Sequence, residues 1–365
     1  MTLSATLFDF DPIRVAAWSI ISVAAVGLLV LGKALLVPLA IAVFIWILLG
    51  AIKSLLFRFA PDRMHVPMWL ANILAISIIA ASVYMTIVVI AGQSQELAAA
   101  VPVYQANFAE ILANLKQSLN IVELPTTESL LGQLDLGAIL SWVGDSVTAL
   151  MSDTLLIAIY VGFLLAEEHI LPAKIRHLYS DPDKAGQISR LATQVATSIR
   201  RYIGMKTIVS LLTASLSYAV LAVVGVDFAG IWALLVFFLN FIPTIGSIIA
   251  VVLPALLTLL QFDTVTPFLI VTAGLGATQF VIGNILEPSY VGKSLNLSSL
   301  AILLALSFWG LVWGLAGMFL AVPMMVMTGI VCAQINGLRW VAVILSTDGN
   351  LMTDAHLARG NESHE

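Results

Sequence analysis

Apolar residues gather along this chain into runs of bilayer length, separated by short polar stretches. About 20 such residues in helical form cross roughly 30 Å of hydrocarbon. On that ruler, residues 15–31, 34–52, 67–91, 149–166, 207–224 and 267–282 each predict a membrane helix. Only Gly32 and Lys33 separate the first two, which predicts a tight helical hairpin with Lys33 snorkelling to the interface. Two further runs are too long for one crossing: as single helices, 229–260 would extend about 48 Å and 300–335 about 54 Å. Each carries helix breakers near its middle, Asn240, Pro243 and Gly246 in the first, and Gly310, Gly314 and Gly317, with Pro323 beyond, in the second. Length favours two re-entrant hairpins over two bent crossings, and in transporters paired broken helices bracket a binding site. The predicted fold class is therefore all-α, a polytopic membrane protein of about 7–8 membrane segments that include two broken hairpins in the C-terminal half.

A second interruption is polar. It runs from Gln279 through Gly283, Asn284, Glu287, Pro288 and Gly292 to Ser299, and its only charges are Glu287 and Lys293. Such a stretch between apolar runs predicts a broken backbone whose freed N–H and C=O groups need protein, solute or cavity water as partners.

Composition agrees with the pattern: 60% of the 365 residues are hydrophobic and 10% charged, with a mean hydropathy of +1.04. The net charge of −5 matters less than its placement. Residues 92–148 form an acid-rich segment, read as a small helical unit on the outer face, either a lid or assembly surface or a solvated connection. Residues 167–206 carry Lys174, Arg176, Lys184, Arg190, Arg200, Arg201 and Lys206, which marks a cytoplasmic amphipathic linker. With Arg14, Lys53, Arg58, Arg63 and Arg339, this charge places both termini in the cytoplasm. The domains so read are 1–91, a membrane hairpin plus third span; 92–148, the outer segment; 149–166, a span; 167–206, the linker; 207–340, a transport region; and 341–365, a tail. Residues 1–14 lack a basic n-region and a small-residue cleavage site, so the first apolar run is read as retained. The single cysteine, Cys332, excludes an intramolecular disulfide and is read as a small core residue.

The strings Asn240-Phe-Ile-Pro-Thr-Ile-Gly246 and Asn284-Ile-Leu-Glu-Pro-Ser-Tyr-Val-Gly292-Lys-Ser-Leu-Asn-Leu-Ser-Ser resemble those of the autoinducer-2 exporter (AI-2E) family. Gly310, Gly314, Gly317 and Ala321-Val-Pro323 extend the likeness, as does the junction from Leu165 to Lys174 with Glu168 and Pro172. The resemblance implies a multi-pass bacterial inner-membrane protein and a homo-oligomer, a pentamer. It also implies export of the quorum-sensing signal autoinducer-2 or, as in other members, sodium or lithium/proton antiport. Gly283 stands where many members have an acid, and Ser298 and Ser299 where a proline often follows, so Glu287 is the only acid of its motif.

Glu287 is the first candidate for chemistry, because an ionisable side chain within a membrane segment is costly unless it works. Its plainer role is an interfacial ion pair with Lys293. Asn240, Gln279 and Asn284 both donate and accept, which suits a small hydroxylated solute and equally suits holding broken helices together. Pro243, Gly246, Gly283, Pro288, Gly292, Gly310, Gly314, Gly317 and Pro323 are read as setting hairpin geometry. No Gly-x-Ser-x-Gly, His-Glu-x-x-His or phosphate-cradling loop occurs, and Cys and His show no zinc spacing, so neither enzyme, cofactor nor metal is expected. The basic residues are spread along helices that join spans, which argues against nucleic acid. The expected function is a secondary transporter for a small polar solute, with a Na+(Li+)/H+ antiporter using Glu287 as the alternative. A structural membrane assembly without transport is the third possibility. The partners expected are the bilayer, the solute or Na+ and H+, and further copies of the chain.

Overall fold

The structure, a computed structural model, describes residues 12–59, 67–119, 153–168, 170–178, 181–287, 297–335 and 337–349. Pro288, Gly292 and Lys293 lie outside the described residues, as do Arg63, His169, 120–148 of the outer segment and the last part of the tail. Among the described residues the chain is helical throughout, with one isolated bridge, Leu297 to Ser346, in place of any strand. Five helices are long and apolar enough to cross a membrane.

Helix α1 (Pro12–Leu31) meets α2 (Lys33–Phe59) through Gly32 alone. The Gly32 N–H donates to Leu28 O at 2.8 Å and the Leu36 N–H to Gly32 O at 2.9 Å, so helical spacing carries across the junction. The tight hairpin expected here is instead a bend, because one residue bonded in both directions cannot reverse a helix. Helix α3 (Met68–Leu119) also departs from expectation, running 52 residues through Gly92 and Pro102. The change of composition at Gly92 alters what the helix faces without stopping it, since Gln, Glu, Leu and Ala that follow are good helix formers.

After α4 (Thr154–Glu167) and the short α5 (Leu171–Leu178) comes α6 (Pro182–Val224), 43 residues long. Asp181 caps its start, Oδ1 accepting from the Asp183 N–H at 3.0 Å, and Pro182 occupies the first turn, where its missing N–H costs nothing. Gly225, at φ 80°, ends it in the left-handed conformation. From Pro182 on, the basic linker and the next apolar run are thus one continuous rod.

The run 229–260 folds back on itself. Helix α7 (Ala229–Leu239) and α8 (Ile245–Gln261) are joined by a turn in which Thr244 sits at φ 64°. At that turn a Cβ on Gly246 would lie 1.8 Å from Leu239 O, so only glycine lets the two arms meet. At the other end the Gln261 side chain ties the arms together: Nε2 donates to Gly225 O at 2.8 Å, and Oε1 accepts from the Asp227 N–H at 2.9 Å. Two residues that precede α7 therefore lie beside the last residue of α8, which excludes a single crossing.

Helix α9 (Thr266–Val281) leaves this base and continues through a π-turn, Ile282–Leu286, to Glu287. The backbone widens at Gly283 and Asn284 where a break was expected. Helix α10 (Ser299–Gln334) is interrupted at Gly314, φ 63° and ψ −140°, which reverses it into a second hairpin. A Cβ on Gly317 would meet Trp309 O at 1.9 Å, and one on Gly310 would meet Met318 Cε at 2.7 Å. The close approach of these glycines is between arms of one hairpin. Pro323 is buried within the second arm. Helix α11 (Arg339–Leu345) brings the chain back beside the start of α10, where the Ser298 N–H donates to Leu345 O at 2.9 Å. Cys332 is buried against Ala333 and Ala342.

The hairpins stand at opposite ends of α6. Leu221 and Val226 pack on Ala255 near the base of the first, whereas Ile199, Tyr202 and Ile203 pack with Val322, Val326 and Ile330 of the second. Their tips meet. Phe241 lies 4.6 Å from Phe319, ring centre to ring centre, and Phe44 of α2 lies 6.0 Å from the first ring and 4.9 Å from the second.

Candidate functional site

Helix α6 organises the polar interior. Lys206, Ser210, Thr213 and Ser217 recur at helical spacing on one face and are 4%, 0%, 0% and 1% exposed. A lysine and three hydroxyls sealed on one face of a membrane helix need partners from neighbouring elements. The first hairpin supplies one: Asn240 Nδ2, at its tip, donates to Ser210 Oγ at 3.0 Å. Glu287 supplies another, its Oε1 2.5 Å from Lys206 Nζ. Thr213 Oγ1 donates within its own helix to Val209 O at 2.8 Å, while Ser217 Oγ has no partner.

The π-turn explains why Glu287 reaches α6. Such a turn takes up one extra residue and rotates everything beyond it by about 100° relative to an unbroken α-helix. Without it the carboxylate of Glu287 would leave the side of α9 that it now presents to Lys206.

Depth along the helices locates the two polar pairs. Asn240 follows eleven residues of α7, about 17 Å from the base of the first hairpin, which is mid-bilayer. Lys206 lies about 29 Å along α6 from Gly225, and Glu287 about 31 Å along α9 from Thr266, so their ion pair sits about 12 Å, two helical turns, beyond Asn240, toward the opposite margin of the hydrocarbon.

The other sequence candidates fall differently. Gln279 is half-buried on α9 with Nε2 unpartnered, as is Thr272 Oγ1 on the same helix. Asn284 is exposed and its Nδ2 donates to Phe280 O of its own helix at 3.1 Å, and Gly283 faces open space. Asn240, Glu287 and their α6 partners therefore come together, and Asn284 does not join them. Lys206 and Ser210 were missed as site residues because Lys206 closes a basic cluster that marks topology. The available signal was the spacing of Lys206, Ser210, Thr213 and Ser217 inside an otherwise apolar run.

Two re-entrant hairpins set tip to tip, with ionised and polar side chains collected on the helix beside them, define a membrane transport protein. The chain belongs to the AI-2E transporter family, whose model, described as AI-2E family transporter, matches residues 19–337. It is 31% identical over 316 residues to the AI-2 transport protein TqsA of Escherichia coli (strain K12), covering 86% of this chain and 89% of that protein. It is 29% identical over 313 residues to a putative transport protein of Haemophilus influenzae, covering 84% and 89%. With the putative transport protein YhhT of Escherichia coli (strain K12) it shares 30% identity over 295 residues, covering 80% and 82%.

Proposed function

We propose that this family member is a secondary transporter that exports a small polar solute such as autoinducer-2 from the bacterial cytoplasm across the inner membrane. It works without nucleotide hydrolysis, as a homo-oligomer, a pentamer, with both termini in the cytoplasm. One observation carries the reading: Asn240, next in the chain to Phe241 of the hairpin tip, and Glu287 engage adjacent turns of a single face of α6. A hydroxylated solute takes over the hydrogen bond between Asn240 and Ser210, and the tips part around it, exposing it first to one side and then to the other. The name of the Escherichia coli relative supports autoinducer-2 as the cargo.

Solute transport in inverted vesicles, run with and without sodium and pH gradients, tests this. Asn240→Leu is expected to abolish solute movement while leaving the assembled protein in the membrane; undiminished transport by that variant would remove the solute-binding role. A specific observation also favours Na+(Li+)/H+ antiport. Lys206 holds the Glu287 carboxylate in the way an exchangeable cation would, so a proton or Na+ that occupies the carboxylate releases the lysine. On that reading Glu287→Gln eliminates sodium-dependent proton movement in the same vesicles, whereas a neutral-solute carrier retains transport and loses only its pH dependence. If neither substitution changes any flux and both change only stability, the chain is an assembly protein.

A further inference from the structure

A second cluster of charges lies outside the transport site, where α2, α4 and α6 converge. Trp46, Gly50 and Lys53 share one face of α2. Lys53 is 8% exposed, and its Nζ lies 3.5 Å from Oε2 of Glu168, the residue that caps α4. The same oxygen accepts from Trp46 Nε1 at 3.3 Å. Both contacts are long, so Glu168 is loosely held. From α6, the guanidinium of Arg200 lies flat over Gly50: a Cβ there would come within 2.6 Å of Nε and 2.8 Å of Cζ. Arg200 Nε is sealed from solvent and has no hydrogen-bond partner. Glu168 is thus held only loosely by Lys53 and Trp46, and a sealed guanidinium nitrogen of Arg200, lying against Gly50 on the same face of α2, lacks an acceptor.

Arg200 is partly buried, and a guanidinium nitrogen sealed between helices without an acceptor is stabilised by an anion that completes it. Arg200 lies about 38 Å along α6 from Gly225 and about 9 Å beyond Lys206. A hydrocarbon layer of about 30 Å ends near Lys206, which puts Arg200 at the level of the phospholipid headgroups. The planar donor fork of arginine fits two oxygens of a phosphate, and a nearby lysine adds a point charge.

We propose that Gly50, Lys53, Glu168 and Arg200 form a binding site for a phosphate oxyanion, occupied in the membrane by the headgroup phosphate of an anionic phospholipid. Gly50 is part of the site because any side chain there displaces the guanidinium. The ligand ties α2 to α6 at their basic ends without entering the path between the hairpins.

The test uses the full chain, delipidated in detergent, with retention of phosphatidylglycerol measured by native mass spectrometry and thermal unfolding followed in parallel. Phosphatidylcholine and inorganic phosphate are the other two arms. Phosphatidylglycerol is expected to bind and to raise the unfolding temperature, and Arg200→Gln to weaken its retention about tenfold, the worth of one charge-assisted hydrogen bond. Gly50→Ala keeps every charge and is expected to weaken retention comparably, which covers the case where Arg200→Gln fails to fold. Arg201→Gln removes the same charge from the exposed neighbour and is expected to change nothing. Binding of inorganic phosphate with sensitivity to Arg200, without lipid retention, would keep the oxyanion site and assign it to a free ion. Equal retention of phosphatidylglycerol by the wild type, Arg200→Gln and Gly50→Ala, or equal losses in Arg201→Gln, would overturn the proposal.

Discussion

Lys206 and Glu287 are worth considering as a unit, since neither is comfortable alone. Lys206→Met strands a carboxylate whose side chain is only 26% exposed, and Glu287→Gln strands a lysine that is 5% exposed. Breaking a buried pair from one side costs about 3–5 kcal/mol, and the partial exposure of Glu287 places Lys206→Met at the lower end. The double variant Lys206→Met/Glu287→Gln removes both charges and is expected to recover most of that loss in thermal unfolding. Additive losses in the double variant would show that the two side chains do not support each other. The same pair marks a limit of reading residues along the chain. Glu287 stands out as a lone acid in an apolar region, but its partner lies 81 positions away. Only its spacing with Ser210, Thr213 and Ser217 distinguishes Lys206 from the six basic residues that precede it in the linker.

Among the elements, the two hairpins depend on glycines at which a single atom decides the outcome. Gly246→Ala and Gly317→Ala put a Cβ less than 2 Å from the carbonyl oxygens of Leu239 and Trp309, and backbone cannot yield as a side chain can. Each is expected to destabilise by more than the about 1–3 kcal/mol usual for overpacking. Gly276→Ala in α9, with nothing within 4 Å, is the control and is expected to be neutral or to stabilise by up to about 1 kcal/mol. A separate expectation concerns the π-turn. Deleting Gly283 removes the residue that the turn takes up and leaves Glu287 facing Lys206 on an unbroken α-helix, so the pH dependence of flux should survive, whereas deleting Gly283 and Asn284 together turns Glu287 by about 100° away from Lys206 and should remove that dependence as Glu287→Gln does.

The hairpins were legible in the sequence because excess length and breakers coincide at Asn240, Pro243 and Gly246, and again at Gly314. Apolar patterning says where a chain is buried and is silent on where a helix ends. This is why α3 runs unannounced through Gly92 and α6 through the basic linker. The bend at Gly32 escaped for a related reason: a short polar gap reads the same whether the chain reverses or continues. Gly283 and Asn284 announce an interruption, but nothing in residue type tells a π-turn from a break.

Across the whole molecule, α3 runs on past its apolar part, Met68–Gln93, and clasps the base of the first hairpin. Tyr104, 5% exposed, donates from its hydroxyl to Asp227 Oδ2 at 2.6 Å, and Asn107 Nδ2 donates to Leu260 O at 2.7 Å. The C-terminal part of α3 thereby holds one residue ahead of α7 and one near the end of α8. Burial, and then the bond and charge of Asp227, push the Tyr104 phenol well above its ordinary value of 10.0. The folded state therefore keeps a proton that the unfolded chain gives up. This contribution is complete below pH 10.0 and fades as pH rises beyond it. Protection at the base of the hairpin, taken relative to the intrinsic hydroxide-catalysed exchange rate, should fall above that pH in the wild type, and Tyr104→Phe should remove that fall. A wild type and variant with the same alkaline profile would place the titration elsewhere.

The three rings of Phe44, Phe241 and Phe319 sit where the hairpin tips touch, and they belong to three separate elements. Packed edge-on and tilted, the rings leave the two tips in contact, so on the transport function proposed above this conformation is a stoppered one and cargo moves when the first hairpin swings its ring clear of the second. Trimming Phe241 and Phe319 to alanine together should leave a permanently ajar passage, read as passive leak of small hydrophilic dyes from vesicles in the absence of any gradient.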